Sequence, residues 1–323
     1  MPFYLRAILD LFLPRECLAC GCRLGLRERH LCLACAADVP YTYHWLSTHN
    51  PLADRFNAVL ERHRPADERM DYAYAAALMH YKGPYRAIPR ALKYHADLAA
   101  GCFYGGLLGR RLATAPHFAD VDLIIPVPLH WTRLRSRGYN QAEILAQAIC
   151  DAFYHPEATE CERSCYSRPK VLCFCHSEET EGRRKNLPSS VQCRTDILVR
   201  ARRTRTQTKL TVEQKARNVA SAFQVSFAPS RQDASSQPQH DQTPHPLLDA
   251  LRHSRLGALR HSRLDRESPQ ETLAHARHIL LVDDTFTTGA TLYACYAALR
   301  PYTSARISIA TLAAVEGTPS SGP

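Results

Sequence analysis

The sequence predicts an α/β protein: a small cysteine-rich module at the amino end, then a sheet of buried strands with flanking helices. Three observations lead there. Two Cys-x-x-Cys pairs stand close together, Cys17 with Cys20 and Cys32 with Cys35. Short apolar runs at Leu123–Ile125 and Ile279–Val282 have the unbroken hydrophobicity of strands covered on both faces. Elsewhere apolar residues recur at helical spacing. With 323 residues, 45% of them hydrophobic, the chain has room for about two domains and a substantial core.

Met1–Leu13 is a short apolar stretch carrying Arg6 and Asp10. It lacks a small-residue cleavage site and is too short to span a bilayer. A cytoplasmic home is therefore expected, with peripheral contact at the inner face of the membrane open beside packing on the first domain. No later stretch reads as a transmembrane segment.

Residues 1–45 form the first module. Eleven residues separate its two cysteine pairs, and knuckles at this spacing bring four thiolates to the tetrahedron that zinc accepts in closed structural sites. The expected ligands are Cys17, Cys20, Cys32 and Cys35. Cys22 lies beside the first pair, so the second ligand is either Cys20 or Cys22, with spacing in favour of Cys20. Four protein ligands leave no open position, and the zinc is structural. Arg23, Arg27, Arg29 and His30 sit between the knuckles, either as a nucleic-acid-binding ribbon or as a solvated basic loop.

Residues 46–118 read as a helical linker or hood. Ile88, Leu92, Leu98, Leu107, Leu108 and Leu112 keep helical spacing, broken near Asp97, as in two helices. The larger domain spans 119–315. Its first strand, in Val121–Pro128, is stopped by prolines, and Arg133, Arg135 and Arg137 alternate in a loop beyond it. Their planar donor forks suit a pyrophosphate; a solvated basic loop is the plain alternative. A helix over Ala142–Ala152 follows, with Ile144, Leu145, Ala148 and Ile149 on its apolar face. Between Arg200 and Arg217 seven basic residues face one acid, Glu213. They form a loop that closes over phosphates, a stripe along a nucleic-acid backbone or a solvated face. The net charge of +10 favours polyanionic or phosphorylated partners.

The most informative segment is His278–Thr291: an apolar run, Asp283 and Asp284, then Thr285, Phe286, Thr287, Thr288, Gly289, Ala290 and Thr291. The two acids can accept hydrogen bonds from vicinal hydroxyls. Backbone N–H groups and threonine hydroxyls from Thr287 to Thr291 can wrap a phosphate at the start of the next helix. A capped strand end is the bland alternative, although a cap needs one hydroxyl and not a series. On residues alone this is a diol-and-phosphate site.

That segment resembles the PRPP-binding motif of the type I phosphoribosyltransferases. Together with Ala91-Leu-Lys-Tyr-His, Ile125-Pro-Val-Pro-Leu-His, Arg133-Leu-Arg-Ser-Arg-Gly-Tyr-Asn-Gln-Ala and the Arg/Thr/Gln element from Arg203, it resembles the ComF family and its GntX relatives. The resemblance implies a double zinc ribbon followed by a type I phosphoribosyltransferase-like parallel sheet with flanking helices. It implies PRPP with Mg as ligand, with Asp283 and Asp284 as catalytic acids holding the ribose. Thr285, Thr287, Thr288, Gly289, Ala290 and Thr291 would bind the 5-phosphate, and Arg133, Arg135 and Arg137 the pyrophosphate. A role in natural competence follows, with single-stranded DNA and other competence proteins as partners. The implied activity is either transfer of ribose 5-phosphate or PRPP sensing without turnover; no acceptor base is indicated. Two insertions depart from the family pattern. Residues 154–195 hold Cys161, Cys165, Cys173, Cys175, His176 and Cys193 at irregular spacing, as a loosely ordered loop or a second zinc site. Residues 228–272 carry an eight-residue repeat, Ala250-Leu-Arg-His-Ser-Arg-Leu-Gly and Ala258-Leu-Arg-His-Ser-Arg-Leu-Asp, and disorder or a short stray helix is expected there.

Overall fold

The apolar runs do what their composition demands and stack side by side. The computed structural model describes residues 14–64, 71–154, 191–201, 222–226 and 267–316. Its strands are β1 (Ala75–His80), β2 (Leu123–Pro126), β3 (Gln192–Cys193), β4 (Leu198–Arg200), β5 (Phe223–Val225), β6 (His278–Phe286) and β7 (Arg306–Ala314). Five of them form one parallel sheet in the order β1-β7-β6-β2-β3, while β4 and β5 pair antiparallel.

Alternation along the strands sorts the core into two halves. Ile279 and Leu281 of β6, with Ile307 and Ile309 of β7, face α2 (Pro51–His63) and α8 (Ala290–Leu299). Leu280 and Val282, with Ala310 and Leu312, face α4 (Leu98–Ala113) and α6 (Gln141–Tyr154). Helices thus cover both faces of the sheet, the arrangement that lets continuous apolar strands be buried. Ile279 to Val282 have no exposed surface.

The stretch expected as a helical linker also supplies an edge of this sheet. Ala75-Ala-Ala-Leu-Met-His80 is rich in alanine, a helix former, yet it runs parallel to β7 as β1. Burial on both faces overrides that weak local preference. The two helices flanking Asp97 are as expected: α3 (Ala87–Tyr94) and α4, whose Asp97 side chain accepts from the Ala100 N–H at 2.9 Å. Packing between α4 and α6 is close because Gly101, Gly105 and Gly109 line the seam. A Cβ on Gly109 would stand 2.7 Å from Ile149 Cα.

Two buried polar arrangements tie distant segments. His278, fully buried, places Nδ1 2.6 Å from Asp120 and Nε2 2.8 Å from Ser308 Oγ. Ser308 is equally inaccessible, so this string of groups is a structural tie across β6 and β7. Arg194, just after β3, bonds Asp196 through two nitrogens (2.8 and 3.0 Å), Thr272 Oγ1 (2.8 Å) and Glu267 O (3.2 Å). Ser226 donates its N–H to Ile197 O at 2.7 Å, so the chain on either side of residues 227–266 is anchored to the same short stretch.

Among the described residues no helix is long and apolar enough to cross a membrane. The expectations for Met1–Leu13, for Cys161 to His176 and for residues 228–266 lie outside the described residues. Of the seven basic residues from Arg200 to Arg217, Arg200 alone is described. The end of the 154–195 stretch is not loop: Gln192–Cys193 is β3, paired with β2.

Candidate functional site

Two chemical centres stand out, a thiol cluster and the carboxyl edge of the sheet. In the cluster, sulfur atoms of Cys17, Cys20, Cys22 and Cys32 lie within 4.8 Å of one another. Cys20 and Cys32 are 3.8 Å apart, about the edge of a tetrahedron with metal–sulfur bonds of ~2.3 Å. Four thiols so placed can hold a metal ion. Cys35, the expected fourth ligand, is not among these four, where Cys22 stands instead; the neighbouring thiols of Cys20 and Cys32 push the Cys35 pKa up. Five thiols therefore compete for four positions. The Cys22 thiol is pushed up to about 12 by the thiols of Cys20 and Cys32. Cys17 behaves oppositely: burial works against its thiolate, but N–H groups of Cys20, Cys32 and Ala19 outweigh that and bring it down to about 6.

The module is docked on the sheet domain. Tyr85 donates its hydroxyl to Cys35 O at 3.0 Å, and His30 packs its ring against Phe103 and Tyr104. Arg29 lies 5.9 Å over Phe103. Two members of the basic group between the knuckles are thus part of the docking surface and not of a free loop.

At the carboxyl edge, β6 does not stop with the apolar run. It continues through both acids to Phe286, with Asp283 opposite Thr311 and Thr285 opposite Ala313. Adjacent residues of a strand point to opposite faces, and the acids part accordingly. Asp284 is buried, with its carboxylate 3.0 Å from Lys93 Nζ and 3.3 Å from Gln141 Nε2. Asp283 is half-buried on the side of Cys295 and Arg200. Burial above all, then the charge of Asp284, pushes its pKa up to about 7, against the pull of Lys93 and Arg200. The pair was expected to grip one diol together; the strand's period commits Asp284 to Lys93 and turns Asp283 to the opposite face, toward Cys295 and Arg200.

Beyond Phe286 the chain turns at exposed Thr287 and Thr288. Gly289, with φ 78°, caps α8 and contributes no side chain to its first turn; a Cβ there would stand 3.0 Å from the Phe286 ring. Thr288 Oγ1 lies 3.5 Å from the Ala290 N–H. Ala290 and Thr291 open α8, so this turn stands at a helix N-terminus, where N–H groups favour an anion.

The arginines at 133, 135 and 137 lie not on a loop but on α5 (Trp131–Arg137). His130 caps it through Thr132 N, and Gly138 closes it with φ 80°. At helical spacing Arg133 and Arg137 share a face while Arg135 turns away, in place of the alternation along a loop that was expected. Arg137 lies 5.4 Å over the Tyr94 ring, beside a hollow of about 270 Å³ lined by Tyr81, Pro89, Arg90, Lys93 and Tyr94.

Sequence reasoning missed Lys93 and Gln141 as partners of Asp284, and Arg55 behind the turn. Lys93 belongs to the segment Ala91-Leu-Lys-Tyr-His and, with Arg90, is one of two basic residues in a helix with a buried face. The glycine ending Arg133–Gly138 was the available signal for α5. Neither the protein-family models nor the curated protein sequences compared with this chain match it.

Proposed function

We propose that this chain binds a 5-phosphoribosyl ligand, PRPP with Mg, in the manner its resemblance to the ComF and GntX proteins implies. The observation that carries the reading is the strand–turn–helix at the centre of the sheet's carboxyl edge. There a half-buried carboxylate (Asp283), two exposed threonines (Thr287 and Thr288) and the N-terminus of α8 follow one another within nine residues, Asp283–Thr291. The carboxyl edge of a parallel sheet is also where ligands of α/β folds bind. Asp283 takes the ribose hydroxyls, and residues Thr287 to Thr291 take the 5-phosphate. Asp284 holds Lys93, whose ammonium, with Arg90 in the neighbouring hollow, offers positive charge to a pyrophosphate. Mg, bound with the ligand, would neutralise the leaving pyrophosphate. Loss of pyrophosphate builds positive charge at C1 of the sugar, and an ionised Asp283 stabilises it. The thiol cluster holds zinc in a structural role.

A second reading keeps the binding and drops the turnover: a PRPP-sensing factor that handles single-stranded DNA in natural competence. The exposed Trp131, 64% accessible, beside Arg133 and Arg135 supports it, since a stacking ring among cations suits single strands. Titration calorimetry with Mg and PRPP on wild type and Asp283→Asn separates the cases when combined with a pyrophosphate-release assay over a panel of bases. Binding lost in the variant is the expected result. Release with one base identifies a transferase, and binding without release identifies the sensor. A wild-type chain that binds no PRPP ends both readings.

A further inference from the structure

Arg55 reaches from α2 to the turn after β6. Its Nη2 donates to Thr287 O at 2.7 Å and its Nη1 to Val315 O at 2.5 Å, while the guanidinium lies 5.1 Å from the centre of the Phe286 ring. Val315 in turn donates its N–H to Phe286 O at 2.9 Å. One side chain thus fastens the ends of both central strands.

The peptide joining Thr287 to Thr288 is trans, as all described peptide bonds are. In a planar trans peptide the C=O and N–H point in opposite directions. With the Thr287 carbonyl turned to Arg55 on α2, the Thr288 N–H points away from α2. Released from Arg55, this peptide is free to rotate in a turn whose side chains are exposed.

We propose that Arg55 is a positioning residue for phosphate binding: it holds the Thr287–Thr288 peptide so that the Thr288 N–H faces the ligand. The inference rests on the phosphoribosyl reading of the site and adds the device that sets its geometry. A forked guanidinium suits the role because one planar group bonds two carbonyls at once; a lysine ammonium lacks that fork.

The test compares two probes by titration calorimetry, ribose 5-phosphate and pyrophosphate with Mg, on wild type, Arg55→Lys and Arg55→Met, with unfolding temperatures measured alongside. Ribose 5-phosphate depends on the turn, whereas pyrophosphate sits toward Lys93. Both variants are expected to weaken ribose 5-phosphate about tenfold or more, the scale of one hydrogen bond to a charged group, and to leave pyrophosphate binding unchanged. Should Arg55→Met fail to fold, Arg55→Lys carries the comparison. Equal weakening of both probes in step with a lower unfolding temperature would reduce Arg55 to a structural prop. Unchanged ribose 5-phosphate affinity would overturn the inference alone. A wild type that binds neither ribose 5-phosphate nor PRPP would remove the phosphoribosyl reading, and the inference with it.

Discussion

At the end of a parallel strand, with Asp284 next in line and Cys295 behind, Asp283 ionises reluctantly and its pKa rises to about 7. In the unfolded chain the same carboxyl loses its proton near the ordinary carboxylate value of ~3.9. Between those two values the folded state binds more proton than the unfolded, so this group's stability contribution is lost as pH rises through 7. Asp283→Asn should therefore melt higher than wild type at pH 8, with the gap closing by pH 4; thermal unfolding across that range checks it. On the proposed reading the same variant is expected to lose PRPP, a trade of function for stability. The position of Asp283 was readable from the chain, because an acid directly after an apolar run marks where the fully covered part of a strand ends. Its unequal partnership with Asp284 was not: Lys93 and Gln141 come from remote helices, and no local pattern announces which carboxylate they claim.

Among the elements, the central strands and the helices beside Asp97 were legible because periodicity is written locally. β1 was not, since Ala75-Ala-Ala is helical by propensity and becomes a strand only where two layers close over it. The run Gly101, Gly105, Gly109 was visible as sequence, but its use appears only when α6 lies against it. There the three positions differ. A Cβ on Gly101 meets the terminal methyl of Leu92 at 2.7 Å, a side chain that can rotate, and Ile144 Cγ2 at 3.1 Å. On Gly109 it meets Ile149 Cα at 2.7 Å and Ala152 Cβ at 2.8 Å, which move only with the backbone of α6. Gly109→Ala should cost about 1–3 kcal/mol as overpacking, and Gly101→Ala less. Chemical denaturation of the two variants measures the difference.

For the whole molecule, the cysteine module joins the sheet domain through a packed contact of Tyr85, Phe103 and Tyr104, so a metal held by the thiols would be linked to global stability. The two Cys-x-x-Cys pairs foretold a thiol cluster able to hold a metal ion, while the place of Cys22 beside Cys20 in it, where Cys35 was expected, is a matter of geometry that spacing left open. Chelation should release one metal ion per chain and lower the unfolding temperature. Serine at Cys17, Cys20 or Cys32 should abolish metal retention, whereas Cys22→Ser and Cys35→Ser should each keep it, the remaining thiol filling the gap; metal content by mass spectrometry decides. The clamp around Arg194 has a consequence of another kind. Because Ser226 is moored to the Ile197 carbonyl and Glu267 to the Arg194 side chain, the polypeptide departs and comes back at nearly one berth. A change of length between those moorings leaves both anchoring bonds, and the strip from Arg194 to Ile197 that holds them, where they are.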